Sequence, residues 1–202
     1  PLPYTLHAPE PILGARLSIT LPTGTRGVAV TYETSPEASA LQWLTPRQTA
    51  GGRHPFLFSQ CQAIHARSVV PLQDTPRNRL RYSATLTVPS PLRVLMAAAH
   101  VERLERDDGR AIERYQMPQP IPPYLFALAV GDLVGRDLGI CSRVYAEPAV
   151  IEAAAYEFAG VDEMLDTACE LFGPYPWDRF DFLVIDRKST RLNSSHSSVS
   201  RM

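Results

Sequence analysis

The chain has 202 residues, 45% apolar and 20% charged, with a formal net charge of −1. Such proportions belong to an ordinary soluble globular fold, with enough chain for one large core or two modest ones. A balance this close to neutral, with scattered arginines and no basic patch interleaved with aromatics, excludes a nucleic acid or a membrane surface as the main partner.

In chain order, residues 16–21 and 27–32 alternate as strands do, with Gly24 and Gly27 as punctuation and Pro22 closing the first run. A short strand is expected over 41–44, ended by Thr45-Pro46. Residues 48–55, with Gly51-Gly52, read as a loop leading to Phe56-Leu57-Phe58-Ser59-Gln60-Cys61. That run alternates large apolar with small or polar residues, the pattern of a half-buried strand. If it continues to Gln62, the period of two sets Gln60 and Gln62 on one face. Two neutral amides offer donors and acceptors with no charge to desolvate, which suits holding a substrate's polar ends without proton transfer. Spacing alone favours a plainer reading, two edge-strand glutamines facing water.

Residues 78–88 form the clearest strand, with Leu80, Tyr82, Ala84, Leu86 and Val88 on one face and Arg79, Arg81, Ser83, Thr85 and Thr87 on the other. Pro89 and Pro91 stop it. An apolar run begins at 94–99, and Asp107-Asp108-Gly109 turns the chain into 112–117 as a hairpin. Pro118, Pro120, Pro122 and Pro123 predict an extended connection, and 124–130 is apolar throughout, as in a strand buried on both faces. Everything to Leu133 reads as antiparallel β. A strand over 144–146 then precedes one long helix starting near Pro148, whose face is Val150, Ala154, Phe158, Val161, Leu165, Cys169 and Phe172. Gly160 weakens it midway and Gly173-Pro174 ends it. A last strand covers 180–185.

The three cysteines, Cys61, Cys141 and Cys169, are odd in number and far apart. They predict free thiols in a reducing compartment. With neither a signal peptide nor a bilayer-length apolar run, the expected location is the cytoplasm. Lys188 is the only lysine among 20 basic residues. It lies in a serine-rich tail, 186–202, without apolar periodicity, so the tail is expected to be disordered. Asp186-Arg187-Lys188-Ser189-Thr190-Arg191-Leu192-Asn193-Ser194-Ser195-His196 also resembles the translation of a sequencing-library adapter, so the tail is expected to be artefactual, with a natural serine-rich tail as the alternative.

Candidate chemistry is sparse. The five histidines are His7, His54, His65, His100 and His196. None is paired at i, i+4, so the His-Glu-x-x-His device that sets two imidazoles and a carboxylate on one helix turn is absent. His54, Cys61 and His65 match no common zinc spacing and read as a buried thiol with structural or exposed rings. Asp74 reads as a turn cap before Pro76. Trp43 reads as core, and Trp177 with Tyr175 as a helix-end anchor. No nucleophile triad, phosphate loop or dinucleotide fingerprint occurs.

Thr34-Ser35-Pro36, Ala40-Leu41-Gln42-Trp43-Leu44-Thr45-Pro46, Phe58-Ser59-Gln60-Cys61-Gln62-Ala63-Ile64-His65 and Gln73-Asp74-Thr75-Pro76 resemble the aminopeptidase N family of zinc metallopeptidases, in its leukotriene A4 hydrolase-like branch. The resemblance runs from about Tyr4 to Ile185. It implies a mainly β fold with a smaller α/β part: an antiparallel β-domain over 1–134, incomplete at its start, then the truncated beginning of a thermolysin-like catalytic domain over 135–185. It further implies a zinc aminopeptidase acting on peptide amino termini, with lipid-epoxide hydrolysis as an activity for which the residues give no separate support. Substrate-binding positions follow by resemblance: Gln62 for the free amino group, the backbone at Ala63 beside it, Cys61 between the amides, and Gln60 further along the pocket. This chain is thus expected to be a fragment, inactive alone and binding no zinc. The zinc of the full-length enzyme, and the remainder of the catalytic domain that the fragment needs as a partner, lie beyond Ile185. The rival expectation is a non-enzymatic β-sandwich binding module ending near Leu133, with an unrelated helical appendage.

Overall fold

A computed structural model describes residues 1–186 and 198–201. β1 (Tyr4–Leu6) and β2 (Leu17–Ile19) pair as a separate two-stranded ribbon. Next come β3 (Leu41–Leu44), β4 (Phe56–Ser59), β5 (Leu80–Pro89), β6 (Arg93–Met96), β7 (Ala99–Glu105), β8 (Arg110–Ile121) and β9 (Leu128–Gly131). Finally β10 (Val134–Asp137) and β11 (Ser142–Ala146) lead to α1 (Ile151–Glu157), α2 (Val161–Phe172), β12 (Phe180–Ile185) and β13 (Ser198–Arg201). Three sheets result besides the ribbon: β5-β8-β7, β3-β4-β9-β6 and β10-β11-β12-β13. Pairing is antiparallel except between β11 and β12, which the helical crossover makes parallel. The architecture is mainly β with a smaller α/β part.

Side-chain alternation stacks these elements in layers. One face of β5-β8-β7 meets one face of β3-β4-β9-β6 around Val88, Val94, Met96 and Tyr115. The opposite face of the four-stranded sheet offers Phe56, Leu95 and Ala129, and against these pack Leu183 and Ile185 of β12. On the far side of β12, Phe182 joins Val144, Ala146, Ile151, Ala154 and Val161 beneath the helices. Two contacts close the seam between the four-stranded and mixed sheets. The ring of Phe56 lies where a side chain on Gly131 would sit, 2.3 Å from an ideal Cβ, so only glycine admits it. Buried Glu147, just past β11, accepts hydrogen bonds from the backbone N–H of Ala50 at 2.7 Å and Gly51 at 3.1 Å. That carboxylate fastens the loop before β4.

Several expectations are corrected. Residues 27–32 lie in no ladder: Val28, Val30 and Tyr32 are exposed, and among the described residues no strand pairs with their backbone. Pro118 and Pro120 fall inside β8, which is tolerated because β7 pairs only as far as Gln116 and leaves one edge of β8 open there. The apolar run 124–130 divides into a 3₁₀ turn, Pro123–Leu125, and β9, because consecutive prolines preset the turn. The single expected helix is two, beginning at Ile151 and broken over 158–160, with Gly160 capping α2. Gly173, at φ 93°, ends α2 in the left-handed region that glycine adopts freely. β10 is too short and too polar to show a period, and Trp43 is 55% exposed on the outer strand, not core. Of the tail expected to be disordered, residues 187–197 and 202 lie outside the described residues, whereas Ser198–Arg201 pairs antiparallel with the open edge of β12.

Leu183 has no exposed surface and joins the mixed sheet to the four-stranded one. Leu183→Ala is expected to cost about 2–5 kcal/mol, read as a lower urea midpoint at unchanged slope. A loss within the error of the extrapolation would show that the two sheets do not share a core.

Candidate functional site

β4 stops at Ser59, whose Oγ accepts the backbone N–H of Leu128 at 2.8 Å. The strand therefore does not run on to Gln62. One more bond, Gln60 N–H to the Ala40 carbonyl at 2.7 Å, guides the chain before it turns. Alternation nevertheless outlasts the ladder. Cys61 points inward against Ala40 and Ala66, while Gln60 and Gln62 point outward. Both amides line a groove of about 1490 Å³, and neither side chain has a partner among the described residues. Cys61 lines the same groove from beneath. Ala63, joined to Gln62 by a cis peptide bond, is exposed in the following turn and outside the groove lining.

The turn carrying these residues is held from several directions. The Cys61 carbonyl accepts the His65 N–H at 2.9 Å, and the His65 ring nitrogen Nδ1 sits 2.8 Å from Ser39 Oγ. Ser68 Oγ donates to the His65 carbonyl at 2.8 Å and accepts the Ala40 N–H at 3.0 Å. Asp74, 3% exposed, does not cap the turn before Pro76. Its Oδ2 accepts the Arg67 N–H at 3.0 Å, while Arg67 Nη2 donates to the Asp74 carbonyl at 2.6 Å. A carboxylate seven residues downstream thus fixes the 3₁₀ turn Ala66–Ser68, a pairing between segments that local sequence does not announce. Side chains held this way are preorganised for binding.

Arg143, Tyr145, Tyr175 and Trp177 also line the groove, as do Arg93 and His100. Tyr175 and Trp177 pack ring to ring at 5.4 Å. Arg143 lies over the Tyr145 ring at 5.4 Å and has its Nε buried without a hydrogen-bond partner. Of these, sequence reasoning singled out only Tyr175 and Trp177. The arginines and His100 carry no motif, and only the sheet stacking turns them toward one space.

Burial pushes the Cys61 thiol up to about 11, with the Asp74 charge adding to the rise and a hydrogen bond with Ser59 opposing it. A thiol so placed is neither a nucleophile nor a ready metal ligand. The donor set does not fit zinc, which needs three or four ligands converging on one point. Cys61 is buried as its thiol, and His65 is tied to Ser39. Among the described residues no group of three or more His, Cys, Asp or Glu side chains could hold a metal ion. What the groove does bring together is two neutral amides on a braced turn with aromatic and cationic side chains.

The profile of the peptidase M1 N-terminal domain matches residues 16–125. Leukotriene A-4 hydrolase of Xenopus laevis is 44% identical over 189 residues, covering 90% of this chain and 31% of its own length. Leucine aminopeptidase 2 of Yarrowia lipolytica is 41% identical over 178 residues, covering 86% of this chain and 27% of its own length. The chain therefore spans less than a third of the length of these relatives. Native leukotriene A4 hydrolase from Saccharomyces cerevisiae superposes with a TM-score of 0.76 at 33% identity, over 92% of this chain and 29% of that one.

The raised Cys61 pKa has a direct consequence. At mildly alkaline pH the thiolate is scarce and shielded, so iodoacetamide is expected to leave Cys61 unmodified in the native chain and to alkylate it after denaturation. Peptide mapping by mass spectrometry reads both states. Prompt native labelling at Cys61 would contradict the burial described above.

Proposed function

Because the chain belongs to the peptidase M1 family, we propose that it forms the amino-terminal β-domain and the opening of the catalytic domain of a zinc-dependent aminopeptidase, with residues 1–134 and 135–185 as the two parts. The observation that carries this reading is the pair of unpartnered amides, Gln60 and Gln62, side by side on the groove. In it, Gln62 receives the free amino group of a peptide and the backbone around Ala63 lies beside that group. Gln60 contacts the peptide further along, and Cys61 fixes the spacing between the amides by staying buried. A carboxamide oxygen accepts hydrogen bonds from an ammonium, and its nitrogen donates to a peptide carbonyl. The groove thus binds and orients without moving a proton.

Zinc, in this proposal, is held by residues outside this chain, which is inactive alone and binds none. When bound, the metal supplies an activated water for hydrolysis. The exposed apolar side chains of α2, Met164, Leu171 and Phe172, support a place for the remainder of the catalytic domain. Nothing in the groove favours a lipid epoxide over a peptide. The free cysteines support a cytoplasmic location, and no helix among the described residues is long and apolar enough to cross a membrane. A free-standing sandwich with an appendage after Leu133 fits less well, because Leu183 and Ile185 share a core with Phe56 and Ala129.

Two measurements test the proposal. In the full-length enzyme, Gln62→Leu is expected to raise KM for an aminoacyl-p-nitroanilide about tenfold, the loss of one hydrogen bond to a charged group; an unchanged KM would remove Gln62 from its role. The purified 202-residue chain, dialysed against trace zinc, is expected to hold well under one equivalent by atomic emission. Tight stoichiometric zinc would refute the assignment of the metal to residues elsewhere.

A further inference from the structure

Arg67 and Asp74 lie outside the groove lining, yet they close the segment behind its paired amides. Each nitrogen of the Arg67 guanidinium donates to a different oxygen. Nη2 reaches the Asp74 carbonyl at 2.6 Å, Nη1 the Leu13 carbonyl at 3.1 Å, and Nε the Asp74 Oδ2 at 3.5 Å. The same Oδ2 accepts the Arg67 backbone N–H at 3.0 Å. Leu13 belongs to the turn at the tip of the β1-β2 ribbon, where Glu10 and Gly14 bridge. One arginine thus joins the ribbon tip, the 3₁₀ turn Ala66–Ser68 and the segment before Pro76.

The inner side of this brace reaches the amides in two steps. Ala66, beside Arg67, is buried against Cys61 and Ala40, with Val69 and Leu72 packed on the same cluster. Cys61 in turn stands between Gln60 and Gln62. A close-packed interior transmits small displacements instead of absorbing them, so a shift at 66–72 moves the residue that spaces the amides. The Asp74 carboxylate is also near enough for its charge to help push the Cys61 thiol up. Bond direction matters here more than charge. The ion pair is long at 3.5 Å, whereas the two shorter bonds run to or from the backbone.

We propose that Arg67 and Asp74 are positioning residues for the amino end of a bound peptide. They act from behind the groove wall, holding Cys61 and through it Gln60 and Gln62 in the arrangement that binding needs. The inference rests on the groove being a peptide site with Gln62 at the amino group. It extends that site to a buried carboxylate, a guanidinium and the tip of a ribbon that no groove contact marks.

Kinetics of the full-length enzyme on an aminoacyl-p-nitroanilide test the role. Asp74→Ala is expected to raise KM about tenfold with kcat changed less than about twofold. Asp74→Asn keeps an acceptor for the Arg67 N–H and is expected to stay within about threefold of the wild-type KM. Arg67→Lys has one ammonium for three divergent acceptors, so KM is expected to rise about fivefold, and this variant serves where Asp74→Ala does not fold. In a double-mutant cycle, Gln62→Leu is expected to raise KM in the wild-type background and to add little in the Asp74→Ala or Arg67→Lys background. Additive effects on KM, or a fall in kcat at unchanged KM, would overturn the positioning role and leave a structural one. An unchanged KM for Gln62→Leu alone would instead overturn the reading of the groove on which the role rests.

Discussion

The structure depends on one apolar contact between layers. Leu183 and Ile185 of β12 pack against Phe56, Leu95 and Ala129 across the face of the four-stranded sheet. Beside it, the buried carboxylate of Glu147 ties the end of β11 to the backbone of Ala50 and Gly51. The exposed Arg53–Asp132 pair nearby adds at most about 1 kcal/mol. The apolar contact also sets the groove, whose opposite walls come from the two sheets it joins. The groove's geometry is a by-product of core packing.

A second constraint operates at the end of β4. Once the Ser59 hydroxyl takes the Leu128 N–H, the ladder has no further bond to offer along that side. The chain leaves the sheet still extended, so successive side chains keep alternating for three residues. Cys61 drives the alternation by filling a pocket formed by Ala40, Ala66, Val69 and Leu72. The glutamines on either side are forced out by the burial of the residue between them. Small residues at 40 and 66 are as necessary to the site as the amides themselves.

Much of this was legible in the amino-acid order. Strands over 41–44 and 180–185 appear where alternation and punctuation put them, because each is short and bounded, the first pairing with β4 and the second with β11 and β13. The face of β5 follows its period of two with no slip from Tyr82 to Pro89. What failed were judgements that need a neighbour. Residues 27–32 have the pattern of a strand and no ladder partner among the described residues, and Trp43 has the bulk of a core residue on the outermost strand. Asp74 reads from its neighbours as a cap on its own turn, whereas its partner is Arg67, brought near by the fold of the intervening segment. The amides were legible as a pair, but the unbroken strand expected beneath them was not there.

The wall of the groove that carries Arg93 and His100 shows why a groove of this kind escapes sequence patterns. β6 is an edge strand, and an uncovered edge exposes N–H and C=O groups that invite other strands. Here side chains of the neighbouring sheet cover it: Glu113 takes the Val94 N–H, Tyr115 donates to the Val94 carbonyl at 2.6 Å, and Tyr82 donates to the Ala97 carbonyl at 2.8 Å. A tyrosine can cover a carbonyl without adding charge, but covering an N–H with Glu113 buries a carboxylate, which is tolerated only when paired. Arg103 meets that need from within, and Arg93 and His100 complete it from the groove side. The basic character of the wall thus follows from closing an edge, and no local motif would have marked it.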